Sequence, residues 1–561
     1  MVQRTFCAGF LLFLLTGSVP PAASQQTARE VEQIERDWLA LRTAFDEVGV
    51  ARNLGAAVTS RGTPVDSMLA RIGVMVAWLK SRLDGLDVGK LNDPDRKAID
   101  LLRGQVGVLG AELAARPAPS DDPADCGGPF PDRMRAASNP DLTSWTFACY
   151  GAAARRIVVD GDTLDRLSIL GLMGRTDDSA RRRRLFMALA PVWRSVNGDD
   201  QALSPYRRMV ALRKSEWGTA QTPMAERAQA LGIPADTMER WLVSILEGWR
   251  ATLPDTLFEP WDFYHYNGEA SRLLSPRIPL DSLRPLADRY YRDLGADPSR
   301  LRVRYDLTPR PGKYPVSFSD FGGRDPVIPW IFTSYRIGGL DNLAELLHEV
   351  GHAVHIAALR TRGAYLDWPD SDTFTEAIAD LAALELYEPE WQQHYLGMVA
   401  PLPASIRSKY AGIVLDVAWA LFEIRVHRTT DMSPNQIWTE ITREYLRIRP
   451  HPEWSWWAMR GQLVGNPGYM LNYALGAIVI ADIRNQVTAR LGRFSTGNRD
   501  WYGWIGPLLY RFGRELPAKD VVDQFLGRRV TVEPLLRDLR RGTATESRPG
   551  GGMPGWSKGR S

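Results

Sequence analysis

The stretch "GGLDNLAELLHEVGHAVHIAALRTRG", residues 338–363, decides how the rest of the chain is read. Leu343, Leu346, Leu347, Val350 and Val354 recur at three- and four-residue intervals, the period of a helix. Gly338 and Gly339 read as a turn, Asp341 as the N-cap, and Gly363 as the residue just past the last apolar position. With so much apolar surface the helix is expected to be buried. The chain has seven histidines, and His348, His352 and His355 fall within ten consecutive residues of this one helix.

Residues four apart on a helix lie one above the other, so His348 and His352 can turn both imidazoles toward one metal ion. His348-Glu349-Val350-Gly351-His352 fits H-E-x-x-H, in which two histidines bind zinc and the glutamate is the general base. Two core histidines held by hydrogen bonds are the competing reading. His355 lies about 10 Å along the axis from His348, too far to share the ion, and is assigned to packing or hydrogen bonding. A catalytic zinc needs a third protein ligand. Glu376 lies 24 positions after His352 in "DTFTEAIADLAALEL", a second apolar-periodic segment. Asp380, one turn later, is placed to accept a hydrogen bond from the non-ligating nitrogen of His348. The set expected is one Zn2+ per chain on His348, His352 and Glu376, with Glu349 as base and Asp380 behind His348.

These residues also carry a resemblance. "HEVGHAVH" is similar to the signature of the thimet oligopeptidase and oligoendopeptidase group, and "TEAIADLAALEL" to the corresponding helix of the angiotensin-converting enzyme group, both gluzincin metallopeptidases. "PVSFSDFGG" resembles the substrate-binding strand of the latter group, and "LAPVWRSVNG…SPYRRMVALR" adds a looser likeness, so that the similarity runs from about Ala180 to Asp482. It implies an almost all-helical ellipsoid with a deep central channel, zinc at its floor and oligopeptide substrates. It also implies an oxyanion donor in "GNPGYMLNYALGAIVIADI": Tyr473, or Tyr469 as second choice, with ordinary aromatic core as the alternative for either. Where the relatives place a histidine shortly before these tyrosines, this chain has Gln462 or nothing equivalent.

Around this centre the chain reads as mostly α. Helical patterns fill residues 25–115 and resume after a Pro/Asp/Gly-rich loop at 116–142, and the catalytic part spans about 143–541. "YPVSFSDF", residues 314–321, alternates as a strand does, and Pro315 favours a sheet edge. Val316, Ser317 and Phe318 are therefore candidates for binding an extended peptide by strand addition. Residues 542–561 are rich in Gly, Ser and Pro and read as a disordered tail. Residues 1–24 read as a secretory signal peptide, an apolar run too short to span a membrane followed by small residues, which predicts a periplasmic or secreted product with no stable membrane insertion. Cys126 and Cys149 then remain, either bridged or as two free thiols. A net charge of +3 gives no footprint for nucleic acid. The run Arg181–Arg184 reads as a solvated helix face.

Two functions follow from the same residues: an exported zinc peptidase acting on oligopeptides, or a catalytically silent zinc-containing protein that binds peptides. A zinc hydrolase acting on a non-peptide amide is a third. Natural substrate, endopeptidase against dipeptidyl carboxypeptidase action, chloride dependence and oligomeric state are not legible.

Overall fold

The computed structural model describes residues 22–114, 126, 130–218, 222–310, 313, 317–429 and 431–543. Residues 1–21, most of the tail and Val316 lie outside them. The chain is mostly α, with two small sheets.

Helices Ala22–Asn53, Val65–Gly85 and Asp93–Ala114 come first. Their apolar stripes, with Ile34, Trp38 and Leu41 facing Ile72, Leu79, Leu83, Ile99 and Leu102, close a core of their own. Each such side chain removed from water stabilises the assembly by roughly 1.5–3 kcal/mol before conformational entropy is counted. The loop that follows is shorter than the sequence suggests. A one-turn helix forms at Asp132–Arg135, and the next helix already begins at Asn139 because the Ser138 side chain caps it by accepting from the Asp141 N–H. Cys126 and Cys149 are joined by a disulfide, which ties the loop to that helix.

The remaining helices share one large core that runs from Leu142 to Leu539. Arg182, in the basic run, is not solvated. It is buried against Asp262 and the Thr176 and Asp177 carbonyls, while Arg181 and Arg184 pair with Asp160. Among the described residues no helix is long and apolar enough to cross a membrane.

The sheet beside the histidine helix has three strands, in the order Arg304–Asp306, Val327–Phe332, Phe318–Arg324. Phe318–Arg324 is thus an edge strand, as expected, and it continues past Phe321 to Arg324, while residues 314–316 lie outside the described residues. The hairpin turn at Asp325 and Pro326 fixes its pairing, with Phe318 opposite Phe332 and Arg324 opposite Val327.

Charge pairs hold the three N-terminal helices to the body. Arg324, whose side chain is 1% exposed, pairs with Asp46 of the first helix at 3.0 Å and with Asp367 at 3.2 Å. Arg362 pairs with Glu35 at 2.7 Å and Asp95 at 2.9 Å. Burial pushes Asp46 up to about 7 against the pull of Arg324, so this carboxylate has little to spare. Removing one partner of a buried pair leaves an uncompensated charge, at a cost of about 3–5 kcal/mol. Arg324→Ala is expected to lose stability on that scale in urea unfolding and to expose the N-terminal helices to limited proteolysis. A loss under about 1 kcal/mol would mean that their docking rests elsewhere.

Candidate functional site

Four elements lie against one another in turn: strand Phe318–Arg324, helix Leu340–Ala358, helix Asp372–Ala383 and helix Met470–Leu491. The histidine helix starts one residue before Asp341, with Gly339 as its N-cap. Asp341 is therefore inside the first turn, where its carboxylate accepts from the Ser271 hydroxyl instead of capping. The helix ends at Ala358 rather than near Gly363. Its buried side is fixed by the Tyr291 hydroxyl, which donates to the Leu347 carbonyl at 2.7 Å.

Gly351 is where the next helix touches. A Cβ at this position would sit 2.2 Å from the Ala379 carbonyl oxygen, so no other residue allows the two backbones to come this close. That approach carries Glu376 to the histidines. Glu376 Oε2 lies 3.4 Å from His348 Nε2 and 4.0 Å from His352 Nε2. His348, His352 and Glu376 together form a group able to hold a metal ion, their donor atoms all within 4.8 Å of one another.

The donor set suits zinc. Bonds of about 2.0–2.2 Å in a tetrahedral site place ligand atoms roughly 3.3 Å apart, close to the shorter separation here. Two neutral imidazoles and a carboxylate are what the ion takes. Burial and the neighbouring His348 hold His352 down at about 3, so it is neutral at physiological pH, although its Nδ1 is buried without a partner. His348 Nδ1 meets Asp380 Oδ1 at 2.7 Å, which leaves Nε2 facing Glu376. Burial opposes the charged form of His348, yet Asp380 and Glu376 outweigh it and raise its pKa well above the usual value. Burial likewise opposes ionisation of Glu376, but His348 and His352 keep it below the ordinary carboxylate range.

Glu349 lines the same cleft as His348 and His352 and is 4% exposed. Burial pushes it up to about 7, against the pull of His348 and Ser319. The Ser319 hydroxyl, from the edge strand, lies 2.6 Å from Glu349 Oε2 and 2.9 Å from the Glu349 carbonyl. With a single proton it serves one of these acceptors at a time. The sequence places Ser319 on the edge strand but gives no signal for its contact with Glu349, 30 residues away.

All of this opens on a cleft of about 1100 Å³. Ser317 and Phe318 line it, as do Tyr469 and Tyr473, whose rings are 5.7 Å apart. Burial raises both phenols, so they are hydrogen-bond donors at neutral pH. Trp38, Arg42, Gln105 and Val108 of the N-terminal helices line it too. No local signal announces those residues, because they lie more than 200 positions upstream and belong to a different core.

The other histidines stay out of the site. His355 is buried against Trp368, Phe374 and Tyr510, with no hydrogen-bond partner on either nitrogen. His265 meets Asp177, His427 meets the Glu423 carbonyl, and His394 packs on Tyr395.

No protein-family model matches this chain, and no curated protein matches its sequence. Solved structures do match its fold. A protein provisionally designated oligoendopeptidase F aligns with a TM-score of 0.58 at 14% identity, covering 93% of this chain and 97% of that one. Trypanosoma cruzi metallocarboxypeptidase 1 aligns with a TM-score of 0.55 at 13% identity, covering 92% and 100%. At such identities the likeness concerns architecture, and it extends over almost the whole chain, N-terminal helices included.

The contact at Gly351 yields a direct test. Gly351→Ala must push the second helix away from the first, and Glu376 with it. The variant is expected to keep its helical circular dichroism but to bind Zn2+ at least about tenfold more weakly in a competitive chelator titration, the scale on which lost support around a metal site is felt. Unchanged affinity would show that Glu376 is not held by this contact.

Proposed function

We propose that this protein is an exported zinc-dependent peptidase that hydrolyses peptide bonds in oligopeptides. The observation that carries the reading is the convergence of His348, His352 and Glu376 on one point, with Glu349 beside them and free of that set. His348, His352 and Glu376 would hold the ion, with Asp380 fixing the His348 ring. Zinc bound there supplies Lewis acidity, lowering the pKa of a water in the site to about 7 and polarising the scissile carbonyl.

The remaining work falls to the chain. Glu349 takes a proton from the attacking water and returns it to the leaving amine nitrogen, alternating as base and acid. A carboxyl held near 7 by burial suits both halves of that cycle. Ser319 keeps the carboxylate in place. As negative charge develops on the carbonyl oxygen, Tyr473, or Tyr469 beside it, donates a hydrogen bond. The edge strand at Phe318 offers main-chain groups for an extended peptide. The two structural neighbours bear peptidase names, one of them a metallocarboxypeptidase, which supports the same class of reaction. Export rests on the reading of residues 1–24, and the Cys126–Cys149 bridge agrees with an oxidising compartment.

Incubating the purified protein with a mixed peptide pool, with and without a chelator, and sampling by mass spectrometry reads activity, cut position and length limit together. Glu349→Gln is expected to retain one Zn2+ per chain while cleavage falls by about 10²- to 10⁴-fold, the usual worth of a general base. A variant that still cleaves would remove Glu349 as the base, cleavage indifferent to the chelator would remove the metal from the reaction, and a wild-type protein that cuts nothing in the pool would leave a peptide-binding protein.

A further inference from the structure

Acidic side chains outnumber basic ones along the cleft, and most are compensated. Asp367 lies against Arg42 and Arg324, Asp416 against Arg460, Asp372 against Arg227, and Asp380 against His348. Glu345 is different. It lines the cleft beside His348 and Glu349, and among the described residues no lysine or arginine forms an ion pair with it. The charged group that bears on it is His348, and its near neighbour is the Ser317 hydroxyl. The side chain is exposed to the cleft, and desolvation by the neighbouring protein raises its carboxyl above the ordinary range. It lacks a lysine or arginine partner.

Its position can be matched to a peptide. Glu345 and Glu349 are four residues apart on the helix, about 6 Å along the axis. Ser317 and Ser319 are two apart on extended chain, about 6.8 Å. Ser319 touches Glu349, and Ser317 neighbours Glu345. The extended segment and the helix therefore advance side by side in the same direction. A peptide lying along that edge, its scissile bond at Glu349, brings the groups up to two residues away to Glu345.

We propose that Glu345 is a specificity-determining residue that receives a cationic group of the substrate, an ammonium or guanidinium carried within two positions of the scissile bond. The inference rests on the peptidase reading for its choice of a peptide as ligand. Two sources share this chemistry, a lysine or arginine side chain and a free peptide amine, and matched peptides separate them.

The experiment measures binding to the zinc-loaded Glu349→Gln protein by fluorescence anisotropy, using peptides that carry lysine or norleucine at one position, each with a free or acetylated N-terminus. One cationic form should bind about three- to tenfold more tightly than its neutral match, as a partly exposed charge pair allows. Adding Glu345→Gln should bring that ratio to about one, and Glu345→Lys should turn the preference toward glutamate-containing peptides. A ratio that survives Glu345→Gln, or the absence of any preference for a cation, overturns the inference. Wild-type cleavage of the same peptides is scored separately. A protein that binds cationic peptides through Glu345 without cutting them refutes the peptidase reading alone, and one that cuts all of them equally refutes this inference alone.

Discussion

The candidate site depends on two helix backbones touching at Gly351. Helices normally pack 8–10 Å apart because side chains stand between them. Here the Ala379 carbonyl occupies the space that a Cβ would fill, so a glutamate from the second helix arrives beside histidines of the first. Asp380, one residue past the contact, meets His348 for the same reason. The third helix repeats the arrangement less tightly: Gly476 lies near Thr373 and Ala377, and the Thr373 hydroxyl bonds Asn472 at 2.9 Å. Tyr469 and Tyr473 are set in the cleft by that second contact.

Much of this is legible in the sequence, and what is legible has a short range. The spacing of His348 and His352 is intrinsic to a helix, as is the apolar stripe that buries it. Glu376 is legible only because the second helix follows closely and carries its acids at one-turn spacing. The N-cap shifts from Asp341 to Gly339 because Ser271 claims the Asp341 carboxylate from another part of the chain. Arg182 escapes solvent because Asp262 waits for it 80 residues later. The wall formed by Trp38 and Gln105 has no sequence signature at all, since its residues obey the amphipathic pattern of any small bundle. Long-range partners, absent from local pattern, account for each departure.

The electrostatics of the cleft follow from the expense of burying charge. His355, buried with no acid beside it, and His352, buried beside His348 with Glu376 4.0 Å away, stay neutral. His348 is given Asp380 and is pulled the other way. The two imidazoles of one motif are thus made unlike by Asp380, with Glu376 beside it, on the neighbouring helix. Arg324 shows the same economy at the base of the N-terminal helices, where one guanidinium answers two buried acids. These charge pairs couple the N-terminal part of the cleft lining to Asp367 and so to Trp368, whose ring packs edge-on against His352.

A metal that only braced the fold would call for a different set of neighbours. Structural zinc sites are closed, with four protein ligands, whereas three converge here and the next carboxylate, Glu349, is held to one side by Ser319. Keeping an acid 4% exposed without a cation bonded to it is unfavourable for folding, and burial raises its pKa accordingly. A purely structural site would gain from replacing it with an apolar residue. In the proposed peptidase, its position in the same cleft as two phenols that remain protonated gives that unfavourable burial a use: a group that can accept a proton near neutrality and release it again.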